Sequence, residues 1–262
     1  MSKIIAIFNQ KGGVGKTTTN VNLASSLGLL GKKILAVDID PQGNTTSGLG
    51  IDKQSLKRSI YNVLIDKIEV ETAIIQTPFK NLDLLPSTVE LAGAEIELTS
   101  SLQRELALKN SIIKIKDNYD YIFIDCPPSL GLLAINALAT ADSVLIPIQC
   151  EYYALEGVGM LMNTIQLVKR GLNPDLEIEG VVLSMFDGRN NLSIQVVEEV
   201  KKYFKGKVYT TLIPRNVRLA EAPSHGLPIM EYDEKSRGAE AYMELAEEFL
   251  EYQEDEEGDL FG

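Results

Sequence analysis

The 262-residue sequence predicts a doubly wound α/β fold, a mostly parallel sheet with helices on both faces. Three observations carry that expectation. Apolar runs of strand length alternate with segments of helical periodicity along nearly the whole chain. Several of those runs are apolar almost throughout, as strands buried on both faces are. A glycine-rich loop joins the first run to the first helical segment, which is where such folds place a phosphate site.

In chain order, the expected strands are "KIIAIFN" (3–9), "KILAVDID" (33–40), "LDLLPS" (82–87), "YDYIFIDCP" (119–127), "SVLIPIQ" (143–149), "IEGVVLSMF" (178–186) and "VYTTLIP" (208–214). Helices are expected over Lys16 to Leu30, about Leu91 to Ile115, Leu132 to Ala139, Ala154 to Arg170, Leu192 to Phe204 and Ala239 to about Tyr252. No repeat, low-complexity linker or composition shift divides the chain, so one domain is expected over 1–252, with a mobile acidic tail over 253–262.

Composition sets limits on function. No apolar run approaches the roughly 18–20 residues that cross a bilayer, and the N-terminus leads straight into a strand, so a cytoplasmic protein is expected. Cys126 and Cys150 lie in or beside apolar runs without a C-x-x-C spacing and read as buried, reduced thiols. The formal charge of −12 is unevenly spread: Glu244 to Asp259 holds nine acids and no base, leaving 28 acids against 25 bases elsewhere. The acidity is largely a tail.

"GGVGKTT" carries the chemistry. Gly12, Gly13 and Gly15 let the backbone turn so that amides point at phosphate oxygens, and Gly12, Gly13, Val14, Gly15, Lys16, Thr17 and Thr18 together form the nucleotide loop at the positive end of a helix. Lys16 is placed to reach the β- and γ-phosphates, and the Thr17 hydroxyl to complete a magnesium shell. Asp125 ends an apolar strand and is placed to bind a magnesium water. Asp38 and Asp40 end another strand two residues apart, hence on one side. Asp38 reads as a strand-end cap, an outer magnesium ligand or a catalytic group; Asp40, one step nearer the loop, is the stronger candidate to orient or deprotonate the water that attacks the γ-phosphate. ATP and Mg2+ are the expected cofactors. His225, in "APSHGLP", reads as a loop residue with a local contact.

Five stretches, "KGGVGKTT", "VDIDPQGN", "IFIDCPPS", "CEYYALEG" and "IPRNVRLAEAPSHG", resemble the ParA family of chromosome and plasmid partition ATPases, most closely its chromosomal Soj branch, from about Lys3 to Leu250. The early lysine of the loop, Lys11, is shared with the wider deviant Walker A group, including the division-site ATPase MinD. The resemblance implies that Lys11 reaches the phosphates of a partner subunit's nucleotide, so that ATP closes a sandwich dimer; a second cation beside the γ-phosphate favours ATP over ADP in that role. It also implies that Pro214 and Asn216 line the adenine pocket, with Met185 near it.

Three outputs compete for such a switch. The resemblance implies nonspecific binding of double-stranded DNA by the ATP dimer, on the nucleoid, with a ParB-type centromere-binding partner that speeds an otherwise slow hydrolysis, and a role in replication-initiation control. Seven bases and two acids between Arg189 and Arg218 agree, with Arg189, Lys201, Lys202, Arg215 and Arg218 as the candidate contacts. The alternative for Lys201 and Lys202 is a solvated helix end, which favours cations. A MinD-like membrane role needs a basic amphipathic C-terminal helix, whereas this one is acidic. A metabolic or electron-transfer ATPase of the nitrogenase iron-protein kind needs paired cysteines that this chain lacks.

Overall fold

The computed structural model describes residues 2–151 and 154–261, with the side chains of all of these except 154–156 and 256–261. In chain order the elements are β1 (Lys3–Ile7), α1 (Lys16–Leu29), β2 (Ile34–Asp38), α2 (Asn44–Gly48), α3 (Ile60–Leu64), β3 (Ile75–Gln76), β4 (Leu82–Leu85), α4 (Leu91–Glu97), α5 (Ala107–Ile112), β5 (Tyr121–Asp125) and α6 (Leu132–Thr140). There follow β6 (Ser143–Gln149), α7 (Ala154–Gly171), β7 (Glu177–Phe186), α8 (Asn191–Phe204), β8 (Val208–Pro214), α9 (Val217–Glu221), α10 (Ile229–Tyr232) and α11 (Arg237–Phe261).

All eight strands form one sheet in the order β3-β4-β2-β5-β1-β6-β7-β8. Every pairing is parallel except that of β3 with β4. β1 lies at the centre because β5 returns between it and β2, so the carboxyl ends of β1, β2 and β5 open into one crevice.

Alternation along the central strands builds two cores. Ile4 and Ala6 of β1, Leu35 and Val37 of β2, and Ile122 and Ile124 of β5 face a core shared with α3 to α8. Their neighbours Ile5, Ile7, Ile34, Ala36 and Phe123 face another, closed by Leu23 and Leu27 of α1 and by Leu245 and Phe249 of α11. Burial on both faces is why these strands lack a polar period.

The seven expected strands and the parallel sheet are present. Three features differ from the sequence reading. The long helix expected over Leu91 to Ile115 is broken: the Thr99 and Ser100 hydroxyls donate back to the carbonyls of Ile96 and Glu97, Ser101 is extended, and Gln103 is left-handed at φ 56°. Hydroxyl side chains that bond their own backbone compete with helix continuation. β3, two residues long, adds an antiparallel edge. α11 runs to Phe261, past the expected end near Tyr252. Gln253 on it is buried, its amide donating to Glu179 of β7 at 2.6 Å.

Candidate nucleotide and metal site

The loop between β1 and α1 is shaped by glycine. Gly13 and Gly15 have φ of 73° and 92°, the left-handed region where a side chain is strained, and Gly15 caps α1 without any side-chain hydrogen bond, leaving its first-turn amides for a ligand. Gly12 and Gly13 are exposed, while Val14 is buried and anchors the loop, its carbonyl accepting from the Ser184 hydroxyl of β7 at 2.8 Å.

Lys16 is buried, its ammonium 3.2 Å from the Lys11 carbonyl. Burial lowers its pKa, and the charges of Asp125 and Asp40 work against that shift. A desolvated cation of this kind gains most when anionic oxygens enter the loop. The Lys11 ammonium differs. Its backbone N–H is held by Asn9 Oδ1 at 3.0 Å, but among the described residues no side chain pairs with its charged end.

Thr17 donates its hydroxyl to Asp125 Oδ2 at 2.7 Å, and Thr45 of α2 donates to the same oxygen at 2.8 Å. Asn20 of α1 in turn donates to the Thr45 hydroxyl at 3.0 Å. Asp125 Oδ1 is buried and has no hydrogen-bond partner. A buried carboxylate oxygen left unpaired beside a threonine hydroxyl, in an all-oxygen setting, fits a hard divalent cation or one of its waters. Burial raises the Asp125 pKa to about 6, against the lowering effect of the Thr17 and Thr45 hydroxyls and Lys16.

The two strand-end carboxylates separate. Asp38 stands beside Asp125 in strand register and is fully buried; its Oδ2 accepts from Thr46 N–H at 2.8 Å and Thr46 Oγ1 at 2.7 Å, and its Oδ1 from Asp40 N–H at 3.2 Å. Burial, and then the charge of Asp125, raises its pKa to about 7. These bonds match the strand-end cap, one of the three alternatives for Asp38, and leave the outer-ligand and catalytic alternatives open. Asp40 lies beyond the strand, and among the described residues its Oδ1 accepts from Gln42 N–H alone, at 2.9 Å, in a local turn.

A cavity of about 230 Å³ adjoins Gly15 and Thr18 and is lined by Met185, Pro214 and Asn216. The three residues assigned to adenine are thus together. Met185 is left-handed at φ 53°, and Asn216 Oδ1 caps α9 by accepting from Arg218 N–H at 2.7 Å and Leu219 N–H at 3.4 Å. The sequence reading missed Ser184, Ile213 and Tyr242, which also line it. They converge from β7, β8 and α11, and no local pattern marks them.

The basic candidates do not form one cluster. Arg189 follows β7, and Arg215 N–H bonds the Phe186 carbonyl at 3.1 Å, so these two and Arg218 of α9 lie at the carboxyl ends of the strands. Lys201 and Lys202 are in the last turn of α8, which must run back to the amino ends to feed the parallel strand β8. The ten helical residues that precede Lys201 separate the groups by roughly 15 Å. Four of the five charges are also partnered: Arg189 with Asp187, Lys202 with Glu199, Arg215 with Glu151, and Arg218 with Glu221 and Asp233. His225 stacks on Tyr232 with ring centroids 4.9 Å apart. Cys126 and Cys150 are free and buried. The stretch "CEYYALEG" includes residues outside those described, and no described helix is long and apolar enough to cross a membrane.

Comparison with known proteins agrees with this geometry. A family model described as "AAA domain" matches residues 2–178. The sporulation initiation inhibitor protein Soj of Bacillus subtilis is 62% identical over 248 residues, 95% of this chain and 98% of that protein. The chromosome partitioning protein ParA of Myxococcus xanthus is 53% identical over 250 residues, 95% of this chain and 88% of that protein. Among solved structures, the cobyrinic acid a,c-diamide synthase of Mycobacterium smegmatis with bound ADP and magnesium superposes with a TM-score of 0.85 at 37% identity, covering 97% of this chain and 96% of that one. The cell division ATPase MinD of Pyrococcus furiosus does so with a TM-score of 0.78 at 32% identity, covering 96% of this chain and 100% of that one. The loop, the Thr17–Asp125 pair and these matches across nearly the whole chain agree: it belongs to the AAA-domain family, in its Soj/ParA branch of chromosome-partitioning ATPases.

Proposed function

We propose that this chain is an ATP-dependent dimerisation switch that binds DNA without sequence preference as the ATP dimer and leaves it on hydrolysis, in partition and in replication-initiation control. The observation that carries the reading is the contrast between two lysines. Lys16 is buried against its own loop, whereas the Lys11 ammonium stands at the same loop with no partner among the described residues. A cation held ready and unpaired suits phosphate oxygens that another subunit presents.

ATP enters over Gly12 to Thr18, with adenine between Met185, Pro214 and Asn216. Thr17 and Asp125 would hold Mg2+, Asp125 through a water, and the ion would supply positive charge against the phosphates. Asp40, whose carboxylate among the described residues is tied by a local turn alone, orients the attacking water. No arginine of this chain is placed in the phosphate loop, so turnover is slow until a ParB-type partner acts.

The test is binding of a random-sequence DNA duplex against salt concentration, with ATP, ADP or no nucleotide, for the wild type, Asp40→Ala and Arg218→Glu. Tight binding by Asp40→Ala with ATP, none with ADP, and loss in Arg218→Glu supports the switch. Weak binding indifferent to nucleotide in every case overturns it.

A further inference from the structure

Asp40 is gripped by its backbone from both sides. Its N–H donates to Asp38 Oδ1 at 3.2 Å, and its carbonyl accepts from Ser87 Oγ at 2.7 Å and from Gly43 N–H at 2.9 Å. Ser87 N–H donates to Thr46 Oγ1 at 2.9 Å, and that hydroxyl donates onward to Asp38 Oδ2 at 2.7 Å. Ser87 therefore closes a ring, with its side chain on Asp40 and its backbone, through Thr46, on Asp38. Asp38, Thr46 and Ser87 are all fully buried. The turn is packed tightly on this ring: a Cβ at Gly43, which sits at φ 61°, would lie 3.0 Å from the Ser87 carbonyl.

Ser87 lies two residues past β4, in "LLPST", outside the phosphate loop and outside both carboxylate-bearing strand ends. Among the described residues, its hydroxyl is the one side chain from another segment that holds the Asp40 carbonyl. A carboxylate that aims a water must be fixed in direction, because a displacement of about 1 Å at a reacting geometry can lower a rate about a hundredfold.

We propose that Ser87 is a positioning residue for ATP hydrolysis: by holding the Asp40 carbonyl and, through Thr46, the Asp38 carboxylate, it fixes where the Asp40 side chain points. The inference rests on the reading of Asp40 as the group that orients the attacking water. Ser87 itself touches neither water nor nucleotide in this scheme.

The test compares Ser87→Ala, Ser87→Cys, Asp40→Ala and the double variant Asp40→Ala/Ser87→Ala in the full chain. Cysteine fills nearly the same space but donates weakly, so it carries the test alone if the alanine variant does not fold. Steady-state and single-turnover ATP hydrolysis, ATP affinity and thermal midpoint are measured for each. The expected result is a roughly tenfold fall in kcat for both Ser87 variants with KM and ATP affinity within about twofold, the scale of one lost positioning hydrogen bond. The double variant is expected to be no slower than Asp40→Ala. A folded Ser87→Cys protein with wild-type kcat overturns the proposal, as does a loss of ATP affinity matching the loss of kcat, or a double variant slowed by the full Ser87 factor. If Asp40→Ala itself keeps wild-type turnover, it is the role of Asp40 that fails, and this is distinguishable from silent Ser87 variants beside an inactive Asp40→Ala.

Discussion

Thr17 and Asp125, 108 residues apart in sequence, share a 2.7 Å hydrogen bond at the carboxyl end of the sheet. The bond turns one Asp125 oxygen toward α1 and leaves the other unpaired. With Thr45 holding the same oxygen from α2, the carboxylate direction is set before a ligand arrives. Thr17→Ala removes both a candidate ligand and this orienting donor. It is expected to weaken ATP affinity in Mg2+ by roughly ten- to a hundredfold, and much less in EDTA, read by titration with a fluorescent ATP analogue. Equal losses in both conditions would show that Thr17 does not act through the metal.

Asp38 and Asp125 are register neighbours, and both carboxyls are raised, to about 7 and about 6, with burial the largest cause. The unfolded chain holds both near about 4, so between that value and the folded ones the native state binds more protons. Their contribution to stability is thus fully present below about pH 4 and is lost as pH rises through about 6 to 7. For the protein without nucleotide, the difference in thermal midpoint between wild type and Asp38→Asn is expected to shift in favour of the asparagine variant as pH rises from about 5 to about 8. A pH-independent difference would mean that Asp38 stays charged throughout.

Lys11 and Lys16 differ in what surrounds their ammonium groups, so their alanine variants should fail differently. Lys16→Ala is expected to lose ATP binding, because the buried cation of the loop is gone. Lys11→Ala is expected to keep ATP affinity within a few-fold yet remain monomeric with ATP, read by light scattering. Equal loss of binding in both would place Lys11 on its own subunit's nucleotide.

These features were legible to different degrees. The phosphate loop, the Asp125 strand end and the central strands announce themselves because they depend on local chemistry: glycines where φ is positive, and apolar runs where both faces are covered. The break after Glu97 was hidden because apolar periodicity continues through it, while the hydroxyls of Thr99 and Ser100 decide the backbone. Ser87, Ser184 and Tyr242 were invisible for another reason. Each matters through a contact with a distant segment, Ser87 with Asp40 and Ser184 with Val14, and a single sequence carries no sign of such pairs. The count of bases from Arg189 to Arg218 likewise carries no sign of their placement, since a helix in the middle takes Lys201, Lys202, Lys205 and Lys207 to the far end of the sheet.

That separation makes the proposed DNA surface testable by halves. Arg189, Arg215 and Arg218 share the end of the sheet that bears the phosphate loop, so a dimer closing there doubles them on one surface. Arg218→Ala is expected to lower the slope of log affinity against log salt by about two per dimer, one phosphate contact from each subunit. Lys201→Ala/Lys202→Ala is expected to change it by less than one. The reverse order would put DNA on the amino ends of the strands, away from the nucleotide.

Besides its apolar face, the C-terminal helix is tied to the sheet through a buried carboxylate. Glu179 of β7 pairs with Lys3 of β1 at 2.9 Å, accepts from Ser143 of β6, and accepts from Gln253 of α11 at 2.6 Å, while Gln253 also takes a hydrogen bond from Lys3 at 2.8 Å. The Glu179 side chain is 2% exposed, so removing Gln253 leaves a buried carboxylate oxygen without its amide donor, at a cost of about 1–3 kcal/mol. The domain boundary expected at residue 252 falls immediately before this contact. A chain ending at Asp255 keeps it, and a chain ending at Tyr252 does not. The shorter chain is expected to unfold several degrees lower, whereas the longer one keeps the midpoint of the full protein. If the acidic end also limits stray DNA contacts, both truncations should bind random DNA more tightly than the full chain. Unchanged DNA affinity in both would leave Gln253 as the one consequence of this end that the experiment detects.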